Sequence, residues 1–267
     1  MPGPAAWVST HAAGPSGGER ARLDFVTMDP RATIESMLRG DLRGRTAYGA
    51  PQLDVPVALN TNENSYPGPD VVGEALTAAV AAAAPGPNRY PDREFTALRE
   101  ALATYLSRSG TPVAVEQVWA GNGSNEVLLH LLQAFGGPGR TALGFTPAYS
   151  MHPIITTTTG AAWVDGLRGV AGAGAFDLDA ASAVEQVQRH RPDVVFLCSP
   201  NNPTGTALSL ETVDAVHAAA PNALVVVDEA YAEFARPGTP SALTLLAGRP
   251  RLVVTRTMSK AFALAGG

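Results

Sequence analysis

Blocks with a helical hydrophobic period alternate along this chain with short runs of consecutive apolar residues. Asp70 can cap a helix running from Val71 to about Ala84, stopped by the Pro-Gly-Pro at 85–87. From Glu94 to Ser107, Phe95, Leu98, Leu102, Tyr105 and Leu106 fall on one helical face, closed by Gly110. VEQVWA reads as a strand entering the turn GNGS, with a helix from about Asn125 to Phe135. TALGF (141–145) predicts a short strand, and the β-branched IITTTT (154–159) predicts another. Helices are expected over roughly Leu178–His190 and over Leu210–Ala219 after Ser209. Between and after them, DVVFLCS (193–199), ALVVVDEA (223–230) and RLVVTR (251–256) read as strands buried on both faces. The expectation is an α/β fold, a mostly parallel sheet sandwiched by helices.

Residues 1–27, rich in Gly, Pro, Ala and Ser without an apolar period, are expected to be disordered, and Met28 is a candidate native start. Residues 28–58 read as an N-terminal arm with a short helix, and 59–267 as the large domain.

Composition narrows the function. With 45% hydrophobic residues the 267-residue chain can build one substantial core. A net charge of −5 offers no basic field for nucleic acid or an anionic membrane. No apolar run reaches spanning length, and no basic segment leads into an apolar stretch at the N-terminus. Cys198, the lone cysteine, lies in an apolar run and reads as a buried thiol, which fits a reducing cytoplasm. His130, His152 and His217 lack metal-ligand spacing and read as structural or solvated.

Of the 19 basic residues only Lys260 is lysine. Arginine stays protonated, whereas a lysine amine can lose its proton and condense with an aldehyde. A rare residue must also fall somewhere by chance. Ligands in parallel sheets sit beyond the carboxyl ends of the strands. There the chain places GNGSNE (121–126), SPNNPTG (199–205), DEAY (228–231) and TMSK (257–260).

With LNTNENSYP (59–67), NRYPD (88–92) and PAYSMH (147–152), these segments in order resemble the fold-type I pyridoxal-phosphate aminotransferases, the histidinol-phosphate aminotransferase family in particular. The resemblance implies pyridoxal 5′-phosphate as cofactor, an amino donor and a 2-oxo acid as substrates, and a homodimer with shared sites. Lys260 would carry the cofactor and move the substrate proton. Asp228, ending a buried strand, would hold the proton on the cofactor ring nitrogen. An Asp228–Glu229 magnesium pair is the alternative, but no G-x-x-x-x-G-K-[ST] loop accompanies it. Asn202 and Tyr231 match donors to the cofactor's phenolic oxygen, although Asn202 before Pro203 is also a turn residue. Ser124 and Asn125 would offer backbone amides, and Thr257 and Ser259 hydroxyls, to its phosphate. Tyr149 matches the aromatic stacked on the ring, Tyr90 a tyrosine reaching the partner subunit's phosphate, and Tyr66 a substrate-side position; each is also an ordinary core or turn aromatic.

The same resemblance implies a further arginine and a small C-terminal domain beyond Gly267, so that this chain is expected to be incomplete, weakly active or inactive. Other readings are an aromatic amino-acid aminotransferase, a phospho-amino-acid decarboxylase, a cofactor-sensing regulator or a non-catalytic remnant. Residues 1–58 are too short and too poor in helical pattern to hold the regulator's DNA-binding module.

Overall fold

The computed structural model of the protein describes residues 30–46, 49, 51–169 and 175–266. Residues 1–27 and Met28, for which disorder and a start site were expected, lie outside them. The chain divides into two compact units between residues 48 and 49. The first carries helix α1 (Pro30–Met37) and a 3-10 turn at Gly40–Leu42. That turn is tied back by Gly44 N donating to Glu35 Oε1 at 3.0 Å and by Arg43 donating to the Ser36 and Leu38 carbonyls.

The second unit is built on a five-stranded, wholly parallel sheet in the order β2-β1-β3-β4-β5. Its strands are β1 (Thr141–Thr146), β2 (Ala162–Leu167), β3 (Val194–Cys198), β4 (Leu224–Asp228) and β5 (Leu252–Thr255). Every residue of β3 and β4 is buried, as consecutive apolar residues require when both faces are covered. Alternation within each strand divides the core. Val195, Leu197, Val225 and Val227 face helices α6 (Ala180–His190) and α7 (Leu210–Ala219). Val194, Phe196, Leu224 and Val226 face helices α4 (Gly123–Phe135) and α5 (Met151–Thr158). Asp179 and Ser209 cap α6 and α7 by accepting from Ser182 N and Thr212 N, the arrangement that sets a helix start.

Helices α2 (Asp70–Ala83) and α3 (Thr96–Ser107) precede the sheet. Asp70 opens α2 rather than capping it; Pro69 holds the cap position, and the carboxylate meets the positive end of the helix dipole. No residue of α2 is buried, and Val71, Leu76 and Val80 are exposed. α3 starts two residues later than the periodicity suggests, because Asp92 accepts from Glu94 N and Thr96 N while Phe95 takes a left-handed φ of 50°.

Two expected strands are absent. IITTTT is not a strand but part of α5, where Thr157 and Thr158 turn their hydroxyls onto the Pro153 and Ile154 carbonyls. Burial of His152, Ile155 and Thr156 under the sheet outweighs β propensity there. The strand in that part of the chain is β2, a half-exposed edge. VEQVWA likewise forms a 3-10 turn at Val115–Gln117 and no strand. Arg99 takes the Val115 and Val118 carbonyls at 2.9 and 2.8 Å, so they do not enter a ladder.

Candidate active site

The carboxyl rim of the sheet opens onto a cavity of about 150 Å³. Asn122, Gly123, Ser124 and Asn125 enter it from the start of α4, and Tyr149 from the segment after β1. Cys198 and Asn202 come from the end of β3, Asp228, Ala230 and Tyr231 from the end of β4, and Thr257, Ser259 and Lys260 from the end of β5. Nine expected cofactor residues, with the catalytic pair among them, therefore share one lining. Tyr90 and Tyr66 do not reach it and are exposed, Tyr90 fully.

Parallel strands in register put the chemistry at one level. Cys198 is the register partner of Asp228, and Asp228 of Thr255. Asp228 is 1% exposed, so its charge must be met by donors. His152 Nε2 lies 3.0 Å from Oδ2, while Thr255 Oγ1 and Ala230 N donate to Oδ1, each at 3.2 Å. A carboxylate offers about four acceptor directions, so these three bonds leave one for a donor in the cavity. His152 is held flat against Phe196, ring centroids 4.7 Å apart at 11°, and Tyr149 meets its edge. His152, read as structural or solvated, is buried behind Asp228 and outside the cavity lining, in agreement with the structural reading. Its signal was its position three residues after Tyr149, on the same turn facing the sheet.

Glu229, the other half of the acidic pair, points elsewhere. Its carboxylate pairs with Arg256 at 2.7 Å and accepts from Ser241 Oγ and Ala242 N. The magnesium alternative therefore lacks its second ligand.

At the opposite wall, Gly123 adopts φ 73°, a conformation suited to glycine, and a side chain there would point at Ser259 Oγ. The backbone amides in the first turn of α4 have no acceptor within the helix. They lie beside the hydroxyls of Ser124, Thr257 and Ser259 in the same lining. Thr257 Oγ1 accepts from Ser259 N at 3.2 Å and donates to Ser259 Oγ at 3.0 Å. First-turn amides beside clustered hydroxyls are an arrangement that suits an anion. Glu126, which would oppose one, is tied to Asn122 N, and that bond holds its carboxyl below the usual range.

Burial pushes the Cys198 thiol up to about 12, with the Asp228 charge adding to the effect, so it lines the site as a neutral group. The expected buried thiol is found. Arg168, unremarked in the sequence, is buried and donates to the carbonyls of Phe145 and Cys198 at 3.1 and 3.2 Å, tying the ends of β1 and β3 together. Desolvation lowers its pKa from the usual arginine value.

A lysine, a buried carboxylate, phenol and amide donors and an anion corner in one small cavity fit a phosphorylated pyridine aldehyde. The family described as "Aminotransferase class I and II" matches residues 55–267. The chain belongs to that family. Among class I and II aminotransferase relatives, it is 61% identical over 231 residues to histidinol-phosphate aminotransferase of Paenarthrobacter aurescens (strain TC1), covering 86% of this chain and 60% of the relative. It is 62% identical over 229 residues to the enzyme of that name from Thermobifida fusca (strain YX), with the same coverage. A solved Sinorhizobium meliloti histidinol-phosphate aminotransferase in complex with pyridoxal-5′-phosphate aligns at a TM-score of 0.62 and 26% identity, over 77% of this chain and 52% of that one. The chain spans about 60% of the length of the curated relatives it matches.

Proposed function

We propose that the protein is the cofactor-binding part of a pyridoxal 5′-phosphate-dependent aminotransferase acting on L-histidinol phosphate and 2-oxoglutarate in histidine biosynthesis. The observation that carries the reading is the meeting of the chain's one lysine, Lys260, with the buried Asp228 in a single cavity. The histidinol-phosphate specificity rests on the 61% and 62% identities, not on a substrate pocket.

The chemistry supplied by the bound cofactor is withdrawal of electrons from the substrate carbon and temporary custody of the amino group. The chain's residues set the conditions for it. Asp228, held by His152, Thr255 and the Ala230 amide, would accept from the ring nitrogen and favour its protonated form. Asn202, Tyr231 and Tyr149 line the cavity; the first two would donate to the phenolic oxygen, and Tyr149 would stack on the ring. Ser124, Asn125, Thr257 and Ser259 share the lining, and the two amides and two hydroxyls would hold the phosphate. The Lys260 amine would anchor the cofactor and serve as the base and acid for the proton at the substrate carbon. Tyr90, fully exposed, would serve the site of a second subunit in a homodimer, and Tyr66 the substrate side. Among the described residues no helix is long and apolar enough to cross a membrane, which agrees with a cytoplasmic enzyme.

Borohydride reduction after loading with pyridoxal 5′-phosphate, followed by peptide mapping, tests the assignment. The label should fall on Lys260 alone among side chains and be absent from Lys260→Ala. Labelling confined to the chain's amino terminus would overturn it.

A further inference from the structure

The exposed segment Asn60–Tyr66 is not part of the cavity lining, but one of its residues touches two members of the site. Asn62 Nδ2 donates to Tyr231 Oη at 2.8 Å, and the Asn62 backbone carbonyl accepts from Lys260 Nζ at 2.9 Å. Asn64 Nδ2 reaches the Ala261 carbonyl at 3.4 Å. The strap thus bridges the loops that follow β4 and β5.

The polarity of the first bond has a consequence. A phenol carries one proton and two acceptor directions. With the Asn62 amide filling one acceptor direction, the proton of Tyr231 is left to point elsewhere, and the side chain lines the cavity beside Asn202 and Asp228. Donation into Oη also polarises the O–H and makes it a better donor. Burial raises the Tyr231 pKa, and the Asn62 bond acts against that rise. A backbone carbonyl can only accept, so it holds the Lys260 amine as a donor.

We infer that Asn62 is a positioning residue: its side chain aims the Tyr231 hydroxyl into the cavity toward an oxyanion of the bound ligand, while its carbonyl keeps the Lys260 amine beside it. The inference deepens the proposed function and rests on it.

The test is a double-mutant cycle read by absorbance titration with pyridoxal 5′-phosphate on the wild type, Asn62→Ala, Tyr231→Phe and the double variant. Asn62→Ala should weaken binding roughly fivefold to tenfold, the worth of one hydrogen bond. It should change affinity by less than about twofold in the Tyr231→Phe background, because the effect passes through the hydroxyl. Asn62→Asp, whose carboxylate would draw the Tyr231 proton away from the cavity, should lose at least as much as alanine. A spectrophotometric tyrosine titration needs no cofactor: Asn62→Ala should move one tyrosine to higher pH, and nothing should move in the Tyr231→Phe background. Equal losses in both backgrounds, or an unmoved tyrosine, would overturn the inference. If borohydride fails to mark Lys260 in the wild type, the parent reading falls, and the tyrosine titration still decides the Asn62–Tyr231 pairing. If Lys260 is marked and Asn62→Ala binds like wild type, only the role of Asn62 falls.

Discussion

Replacing Arg256 by methionine should show how firmly the rims of β4 and β5 are joined. Arg256 precedes Thr257 and spans to the loop behind Asp228: Nε and Nη2 meet Glu229 Oε2 at 2.9 and 2.7 Å, and Nη1 meets Glu233 Oε1 at 2.8 Å. Nη2 also donates to Ser241 Oγ at 3.1 Å, and Tyr105 Oη donates to Glu233 Oε1 at 2.8 Å. The Glu229 side chain is 4% exposed and that of Arg256 21%. Removing one partner of a buried pair costs about 3–5 kcal/mol, mostly for the charge left behind. Glu229 keeps Ser241 and the Ala242 amide, and Arg256 is partly wet, so the lower end, about 3 kcal/mol, applies. In a domain of this size that lowers Tm by roughly 6–12 °C. Arg140→Met supplies the control: its pair with Asp193 is 58% and 26% exposed, where such bridges contribute less than about 1 kcal/mol. Urea unfolding of both variants gives the comparison. If Arg256→Met costs no more than Arg140→Met, the network is not holding the rim.

Two further outcomes follow from packing and burial. A methyl on Gly144 would overlap the Trp163 ring, 2.7 Å from Cζ2, and Trp163 also packs on Phe196. Gly144→Ala should therefore cost about 1–3 kcal/mol in a thermal melt, and an unchanged midpoint would show that the indole moves aside freely. The Cys198 thiol, raised from 9.0 to about 12, holds its proton more tightly folded than unfolded. Its contribution is present below pH 9 and lost as pH rises from there toward 12. Cys198→Ala should flatten the decline of stability across that window, and thiol reagents at pH 8 should leave the native protein unmodified.

What could be read from residues alone followed burial on both sides. The runs that became β3 and β4 are apolar up to Cys198 and Asp228 and wholly buried, whereas β5, an edge strand, is buried only at Leu252 and Thr255. Ser209 and the period after it located α7 at its true bounds. β2 was missed because an edge strand holding Asp165 and Gly166 carries little apolar pattern. The threonines of α5 misled because propensity is local, whereas their helix is decided by Ile155 and Thr156 fitting beneath the sheet. Within the site, ordered motifs located Lys260, Asp228, Asn202 and Tyr231. His152 and Asn62 stayed hidden because their partners, Asp228 and Tyr231, lie 76 and 169 residues away.

The strand order also bears on how such a chain matures during synthesis. β1 to β4 leave the ribosome before β5, and the lysine follows β5, which pairs with β4. A nascent chain arrested before residue 252 would possess the phosphate corner of α4 and the acid of β4 but no amine to couple with them. On the proposed function, capture of an aldehyde by Lys260 waits on β5. Ligand added during refolding should favour only chains in which β5 has docked on β4.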